Sequence, residues 1–157
     1  MIADGDRVTK GTRPQWVREQ LDRAAGPDWG GWRLAVRLAG PALGLLGRLD
    51  VTGDVAPQLR GGPLILASNH IGNLDVFVLA AACHRLGLRP RFIVAGGLMR
   101  ARVLGPLLHR CGHIRVERDG PDAHWTAAVA TAALAHGAHV VVYPEGRIGL
   151  DPKMWPE

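Results

Sequence analysis

From about residue 48 onward, short apolar runs alternate with segments whose apolar residues recur at helical spacing. The apolar runs predict strands at 63–68, 91–95, 113–117 and 139–143. The segments between them predict helices at 73–86, 98–109 and 122–136, and residues 49–55 predict an additional edge strand. Alternation of strands with helices favours parallel pairing of the strands. The sequence therefore predicts an α/β domain in which a largely parallel sheet is flanked by helices.

The first 47 residues follow a different pattern and predict an N-terminal helical arm. Residues 13–25 predict a short helix, and residues 29–47 predict a second, amphipathic helix with several arginines. The second helix either packs on the body of the domain, which we favour, or lies on an anionic membrane face with its tryptophans as anchors. We therefore divide the chain into an arm at 1–47 and a domain at 48–157.

The composition allows one hydrophobic core and gives the chain a basic surface. Of the 157 residues, 47% are apolar and 21% charged, and the formal net charge is +5. Only Lys10 and Lys153 are lysines, so seventeen arginines supply almost all of the positive charge. Guanidinium groups bind phosphate through a planar fork, so phosphorylated ligands, anionic lipids and nucleic acid all remain open as partners. Cys83 and Cys111 cannot form a disulfide framework, which favours a reducing compartment.

No segment of the sequence predicts a secretory signal or a transmembrane helix. The N-terminus lacks a basic region that leads into an apolar stretch. The longest apolar-biased run, residues 34–49, is interrupted by Arg37 and Arg48 and contains a Gly-Pro pair, so it is too short and too charged to span a bilayer. We expect a protein that is soluble or peripheral to a membrane.

The loop after the first predicted strand carries a histidine and an aspartate with the spacing HxxxxD. His70 precedes the next helix, Asn73 is its predicted N-cap, and Asp75 falls in its first turn. The loop can fold back so that the Asp75 carboxylate accepts a hydrogen bond from one imidazole nitrogen, which leaves the other nitrogen as a general base. The alternative is that Asp75 caps the helix and His70 is an ordinary loop histidine.

Two further strand ends add groups that bind anions. Arg118 follows the third strand of the alternating region, and Glu145, Gly146 and Arg147 follow the last one. Because ligands bind beyond the carboxyl ends of parallel strands, we expect these residues to share one edge of the sheet with His70. A base, arginines and a carboxylate are suited to activating a hydroxyl beside a bound phosphate.

Metal and nucleic-acid binding are less well supported. His109, Cys111 and His113 lie close together in the sequence, but alternation along a strand separates their directions and no fourth ligand is evident, so we predict no metal site. The arginines are dispersed and lack interleaved aromatic residues for base stacking, so we predict no nucleic-acid partner.

Together, the segments NHIGNLD, GHIRVER and YPEGR resemble the motifs of the phospholipid and glycerol acyltransferase family, which includes the 1-acylglycerol-3-phosphate acyltransferases. The first motif of the family is matched by Asn69, His70 and Asp75. The second is matched by Gly112, Ile114 and Arg118, and the third by Pro144, Glu145 and Gly146. In the third motif the family has a threonine between glycine and arginine, whereas here Arg147 follows the glycine directly.

The resemblance implies that a fatty acyl group moves from acyl-CoA or acyl-carrier protein to a hydroxyl of a lysophospholipid or glycerol phosphate, as in phospholipid biosynthesis. It assigns the role of base to His70 and the orientation of its ring to Asp75. The phosphate and glycerol of the acceptor are assigned to Arg118, Glu145, Gly146 and Arg147. The acyl donor is a co-substrate, and no further cofactor is implied. The expected location is cytoplasmic, peripheral at the inner face of the cell membrane.

The resemblance extends over about residues 48–150 and does not include the fourth motif of the family. We therefore expect a domain that is incomplete at its C-terminus, either as a fragment or as a natural truncation. A catalytically inactive lipid-binding fragment is the alternative function, and an Arg-rich nucleic-acid-binding domain is a less favoured one.

Overall fold

The computed structural model of the chain describes residues 13–24, 32, 37, 40–41, 44–45, 47–117, 122–146 and 148. The strands are β1 (Leu64–Ala67), β2 (Pro90–Ala95), β3 (Ile114–Val116) and β4 (His139–Val142). The helices with defined bounds are α1 (Gln15–Ala24), α2 (Pro57–Arg60), α3 (Asp75–Arg85), α4 (Gly96–Met99), α5 (Leu104–Arg110) and α6 (Ala123–Ala135).

The strands form one parallel sheet in the order β1-β4-β2-β3. β4 is an inner strand, and its Val140 pairs with Ile65 of β1 on one side and with Arg91 of β2 on the other. Because the strands run in the same direction, the loops that follow β1 and β4 emerge side by side at the carboxyl edge of the sheet. The predicted α/β class with a parallel sheet flanked by helices is confirmed.

Helices cover both faces of the sheet, and the side chains of β4 alternate between them. Val140 packs in a cluster that includes Val17 of α1, whereas Val141 packs in a second cluster with Ala80 of α3 and Phe92 of β2. A strand buried on both faces needs apolar side chains at successive positions. This burial explains the continuous apolar run by which the sequence predicted β4.

Helix α1 covers the outer edge of β3 with a buried glutamine. Gln20 is only 4% exposed. Its amide Nε2 donates a hydrogen bond to the carbonyl of His113 at 3.2 Å, and its Oε1 accepts one from the backbone N–H of Arg115 at 3.0 Å. The side chain of Gln20 therefore satisfies two backbone groups that a neighbouring strand would otherwise have to pair.

The predicted edge strand at 49–55 is wrong, since these residues, all of which are described, form no strand. The chain continues without regular structure to α2, which begins at Pro57. Proline is well suited to the first position of a helix, because its φ angle is preset and its missing N–H has no helical partner there.

The predicted helix at 98–109 is divided into α4 and α5. In a continuous helix, residue 106 would donate its backbone N–H to the carbonyl of Arg102, and Pro106 has no N–H to donate. Helix α5 instead begins at Leu104, which places Pro106 in the first turn, where the backbone N–H groups have no partner within the helix.

Most of the second predicted helix of the arm, residues 29–47, lies outside the described residues. Trp32 is described, and its ring lies 6.0 Å from the ring of Phe92 and 5.3 Å from that of His113, measured between centroids. This packing against the sheet agrees, for Trp32, with the first of the two interpretations of this helix. Within the described residues, no helix combines the length and the apolarity that crossing a bilayer requires. The division of the chain at residue 48 stays a prediction.

Candidate active site

His70 and Asp75 are joined by a hydrogen bond in the loop between β1 and α3. Nδ1 of His70 lies 3.0 Å from Oδ2 of Asp75, and the two side chains are 16% and 20% exposed. An ionised carboxylate only accepts hydrogen bonds, so Nδ1 of His70 carries a proton, and in the neutral form of the ring Nε2 is then the nitrogen with a free lone pair. The predicted contact between these residues is present, and it leaves Nε2 available to take a proton from a ligand.

The same carboxylate oxygen organises the loop. Oδ2 of Asp75 also accepts the backbone N–H groups of Ile71 at 2.6 Å and Gly72 at 2.8 Å. The prediction that Asn73 caps α3 is wrong, because Leu74 occupies the N-cap position and, in the described residues, no side chain caps this helix. Asp75 turns its carboxylate back to the loop amides, and this fixes the loop that carries His70.

Asp75 stays ionised at neutral pH. Burial alone would raise the pKa of its carboxyl, but hydrogen bonds from the His70 side chain and from the N–H groups of Gly72 and Ile71 outweigh this effect and lower the pKa below its ordinary value of 3.8. A carboxylate held in this state can stabilise a positive charge on the imidazole.

The ring of Tyr143 stacks on the ring of His70. The centroids are 4.3 Å apart and the planes are inclined by 22°. The contact arises because β1 and β4 are neighbours, with Ala67 opposite Val142, so that the residue after β4 arrives beside the loop after β1. The sequence does not predict this contact, since it depends on pairing between strands that are far apart in the chain.

The hydroxyl of Tyr143 is buried, and among the described residues it has no hydrogen-bond partner. Burial raises the pKa of Tyr143 to about 12, and the charge of Asp75, together with that of the Cys83 thiolate at alkaline pH, contributes to the rise. The phenol is therefore neutral at physiological pH, and it presents an aromatic face to His70.

The predicted binding residues after β4 form a tight turn beside this ring. The N–H of Gly146 donates to the carbonyl of Tyr143 at 2.9 Å, and Gly146 has a φ of +67°, which glycine adopts without strain. Glu145 is half-buried, and its Oε2 has no hydrogen-bond partner among the described residues. Arg118 and Arg147 lie outside the described residues, so the roles predicted for them stay predictions.

β1 and β3 are the two outermost strands of the sheet, so the end of β3, which precedes Arg118, lies on the same carboxyl edge as His70 but at the other side of the sheet. Two strands separate β1 from β3, which at about 4.8 Å per step corresponds to about 14 Å. The strand ends of β1 and β4 meet, as predicted, whereas a ligand that reaches from His70 to the end of β3 has to be extended.

A cavity of about 740 Å³ opens beside His70. His70, Tyr143 and Gly146 contribute to its wall, which is otherwise mainly apolar, with side chains such as Phe77 of α3 and Leu107 of α5. The volume is typical of a small-molecule site. An apolar wall of this extent suits an alkyl chain, because each methylene removed from water contributes about 0.8 kcal/mol.

Within the described residues, no group of three or more histidine, cysteine, aspartate or glutamate side chains is arranged to hold a metal ion. His109, Cys111 and His113 lie close together in the sequence. In the structure, Nδ1 of His113 accepts a hydrogen bond from the backbone N–H of Phe92 at 3.2 Å. This nitrogen therefore has a structural partner in the sheet.

Comparison with known proteins adds a family to this geometry. The family model described as Acyltransferase matches residues 48–156, which is more than two thirds of the chain. Comparisons with curated proteins and with solved structures give no match.

Proposed function

We propose that this chain, which belongs to the acyltransferase family of glycerolipid acyltransferases, moves a fatty acyl group from acyl-CoA or acyl-carrier protein to a hydroxyl of a lysophospholipid or glycerol phosphate. Acyl transfer in lipid metabolism follows from the family. The choice of donor and acceptor, and a place in phospholipid biosynthesis, are the proposal. The observation that carries it is the His70–Asp75 hydrogen bond beside an apolar cavity.

In the proposed reaction, Nε2 of His70 takes the proton from the acceptor hydroxyl. The hydroxyl oxygen attacks the thioester carbonyl carbon and forms a tetrahedral intermediate. This intermediate then collapses, the carbon–sulfur bond breaks, and the departing thiolate takes the proton back from His70. A positioned base of this kind contributes on the order of 10²–10⁴-fold, so positioning of both substrates must supply much of the remaining rate.

The charge that forms on His70 during this step has two stabilising neighbours. The ionised Asp75 faces Nδ1, and the aromatic ring of Tyr143 stacks on the imidazole with the centroids 4.3 Å apart. A cation is attracted to the face of an aromatic ring, so this contact is suited to the charge that develops on the ring during proton transfer.

Direct attack by the acceptor, without an acyl-enzyme intermediate, agrees with the state of the hydroxyl and thiol groups near the site. Ser68 is the only serine of the chain, and its Oγ contacts the carbonyl of Asn69 at 3.3 Å. Cys111 contributes to the cavity wall, and burial raises the pKa of its thiol, which disfavours the nucleophilic thiolate. The acceptor hydroxyl is therefore the better nucleophile for His70 to activate.

For the acceptor, we assign the phosphate and glycerol to Arg118, Glu145, Gly146 and Arg147. The support is the motif match and, for Glu145 and Gly146, their position in the turn after Tyr143. We also propose that the protein acts in the cytoplasm, peripherally at the inner face of the cell membrane, where such lipid acceptors would be encountered.

The test is acyl transfer by the purified chain, with a long-chain acyl-CoA and 1-acylglycerol 3-phosphate or glycerol 3-phosphate. We expect His70→Ala to abolish turnover and Asp75→Asn to lower it by about 10²–10⁴-fold, because an amide no longer holds the required tautomer. His84→Ala, an exposed histidine at the far end of α3, is the matched control and should retain activity.

Near-wild-type turnover by His70→Ala would reject the assignment of the base. A folded wild-type chain that binds lysophospholipid but transfers no acyl group from acyl-CoA or from acyl-carrier protein would instead identify an inactive lipid-binding protein.

A further inference from the structure

The segment that joins β2 to β3 exposes several large apolar side chains. We name residues 96–110, which comprise α4, the turn at 100–103 and α5, the α4–α5 hairpin. In this hairpin Leu98 is 51% exposed, Val103 88%, Leu104 40% and Leu107 43%. Single exposed apolar residues are common on protein surfaces, but a group of them on one short element marks an interaction site.

The charge of the hairpin has one sign. Residues 96–110 contain three arginines and no aspartate or glutamate. Arg100 contacts Glu117, which lies beyond the hairpin, and Arg102 is exposed in the turn beside Val103. The element therefore presents protruding apolar groups together with positive charge. The surface complementary to both is the interface of a bilayer that contains anionic lipids.

The hairpin also borders the cavity beside His70. Leu98, Leu104 and Leu107 are exposed and contribute to the cavity wall, as does Phe77 of α3, which is 52% exposed. The opening of the cavity is therefore framed by these side chains. A hairpin seated in a bilayer would place this opening at the depth where the acyl chains of lipids lie.

The geometry points to the α4–α5 hairpin as a docking element for an anionic lipid bilayer, with Val103 inserted among the acyl chains and Arg102 at the headgroup phosphates. This inference rests on the peripheral location proposed above, but it does not require the proposed reaction. An acidic protein surface would also attract the arginines, but in protein interfaces apolar residues form a core within a polar rim. Here Val103, with most of its surface exposed, is instead in the turn that connects two helices, beside the exposed Arg102. This arrangement differs from an apolar core within a polar rim and favours a bilayer.

The test is co-sedimentation of the full chain with phosphatidylglycerol vesicles and with phosphatidylcholine vesicles. We expect binding to phosphatidylglycerol that weakens with added salt. Val103→Ser should lower the partition coefficient by about tenfold, because one apolar side chain no longer leaves water. Arg102→Gln should lower it by about fivefold on phosphatidylglycerol and leave the weaker binding to phosphatidylcholine unchanged.

Two matched variants serve as controls. Leu59→Ser removes an apolar residue that is 50% exposed on α2, and Arg48→Gln removes an exposed arginine. α2 leads into β1, the strand at one side of the sheet, whereas the hairpin joins β2 to β3 at the other side, so Leu59→Ser should bind vesicles as the wild type does. Far-ultraviolet circular dichroism and thermal melting establish that each variant is folded.

Vesicle binding by Val103→Ser equal to that of Leu59→Ser would overturn the inference, and so would a wild-type chain that binds no vesicles. Binding of acyl-carrier protein through Arg102 and Val103 without binding of vesicles would assign the surface to a protein partner instead. His70→Ala should bind vesicles as the wild type does, so failure of the reaction and failure of docking give different results.

Discussion

The described histidines take on different roles that their surroundings set. His70 hydrogen-bonds to a carboxylate and contributes to a cavity wall, whereas His113 is buried and accepts the backbone N–H of Phe92. His139 is also buried, and its Nδ1 accepts the N–H of Arg89 at 3.0 Å. His113 and His139 thus each accept a backbone N–H inside the fold, where a backbone carbonyl would otherwise be needed. Residue type alone could not distinguish them from a base or a metal ligand.

The pH dependence of stability tests the buried state of His113. Burial, together with the charge of Arg91, lowers the pKa of His113 from 6.5 to about 4. Between these values the unfolded chain binds a proton that the folded chain does not. Folding stability should therefore fall as the pH decreases from 6.5 to about 4, by up to roughly 3 kcal/mol, and this loss should be absent above 6.5.

His113→Asn offers an oxygen to the N–H of Phe92 and has no group that titrates in this range. We expect urea unfolding at a series of pH values to show a shallower decline for the variant than for the wild type. The same decline in both proteins would show that another group is responsible.

At the scale of elements, features that depend on neighbouring residues were predictable and those that depend on distant pairing were not. Strand β4 follows from a local apolar run, and the His70–Asp75 contact joins residues of one loop, so the sequence predicts both. The stack of Tyr143 on His70 requires the strand order β1-β4-β2-β3, which the sequence does not specify. Pro106 is visible in the sequence, but the apolar spacing continues across it and predicts a single helix at 98–109, which the structure divides in two.

The edge of β3 depends on one side chain of α1. We expect Gln20→Ala to lower the free energy of unfolding by about 1–3 kcal/mol, because the buried carbonyl of His113 and the half-buried N–H of Arg115 lose this partner. Gln15→Ala is the matched control on the same helix, where the exposed amide donates a hydrogen bond to Glu19. That substitution should change stability by less than about 0.5 kcal/mol. Urea unfolding measures both, and equal effects would mean that Gln20 does not support the edge.

Close packing between α4 and α5 requires a glycine. A Cβ at Gly105 would lie 2.3 Å from the backbone carbonyl oxygen of Met99, which cannot move without shifting α4. Gly105→Ala should therefore cost about 1–3 kcal/mol in stability. At Gly97, by contrast, a Cβ would meet no atom of the described chain within 4 Å, so Gly97→Ala should be neutral or slightly stabilising. Thermal unfolding distinguishes the two variants, and a neutral Gly105→Ala would show that the helices separate easily.

For the whole molecule, the cavity is the feature that the sequence could not predict. Its wall combines α3, β2, α5 and the turn after β4, which are separated along the chain and meet only through the sheet. The sequence predicted groups that act on a polar headgroup, whereas the structure adds the apolar volume beside them. The distance between the ends of β1 and β3 shows in addition that an acceptor bound by residues after both strands would have to extend across the sheet.

If the acyl chain of the donor occupies the cavity, a side chain that fills part of the cavity should shorten the longest donor that the protein accepts. Cys111 contributes to the cavity wall, so Cys111→Phe should fill part of the space and Cys111→Ala should not. Each methylene that no longer fits loses about 0.8 kcal/mol, so kcat/KM for the longest donors should fall by about fourfold per excluded methylene. Short donors should react as with the wild type, because their chains end before the obstruction.

The measurement is kcat/KM over a series of saturated acyl-CoA donors of increasing length, with Cys111→Ala expected to keep the wild-type profile. Both substitutions leave the His70–Asp75 pair unchanged, so a loss confined to long donors reports on the cavity rather than on the base. A folded Cys111→Phe with the wild-type length profile would exclude the cavity around Cys111 as the acyl site. The same result would leave proton transfer by His70 intact, because binding of the chain and activation of the hydroxyl involve different atoms of the site.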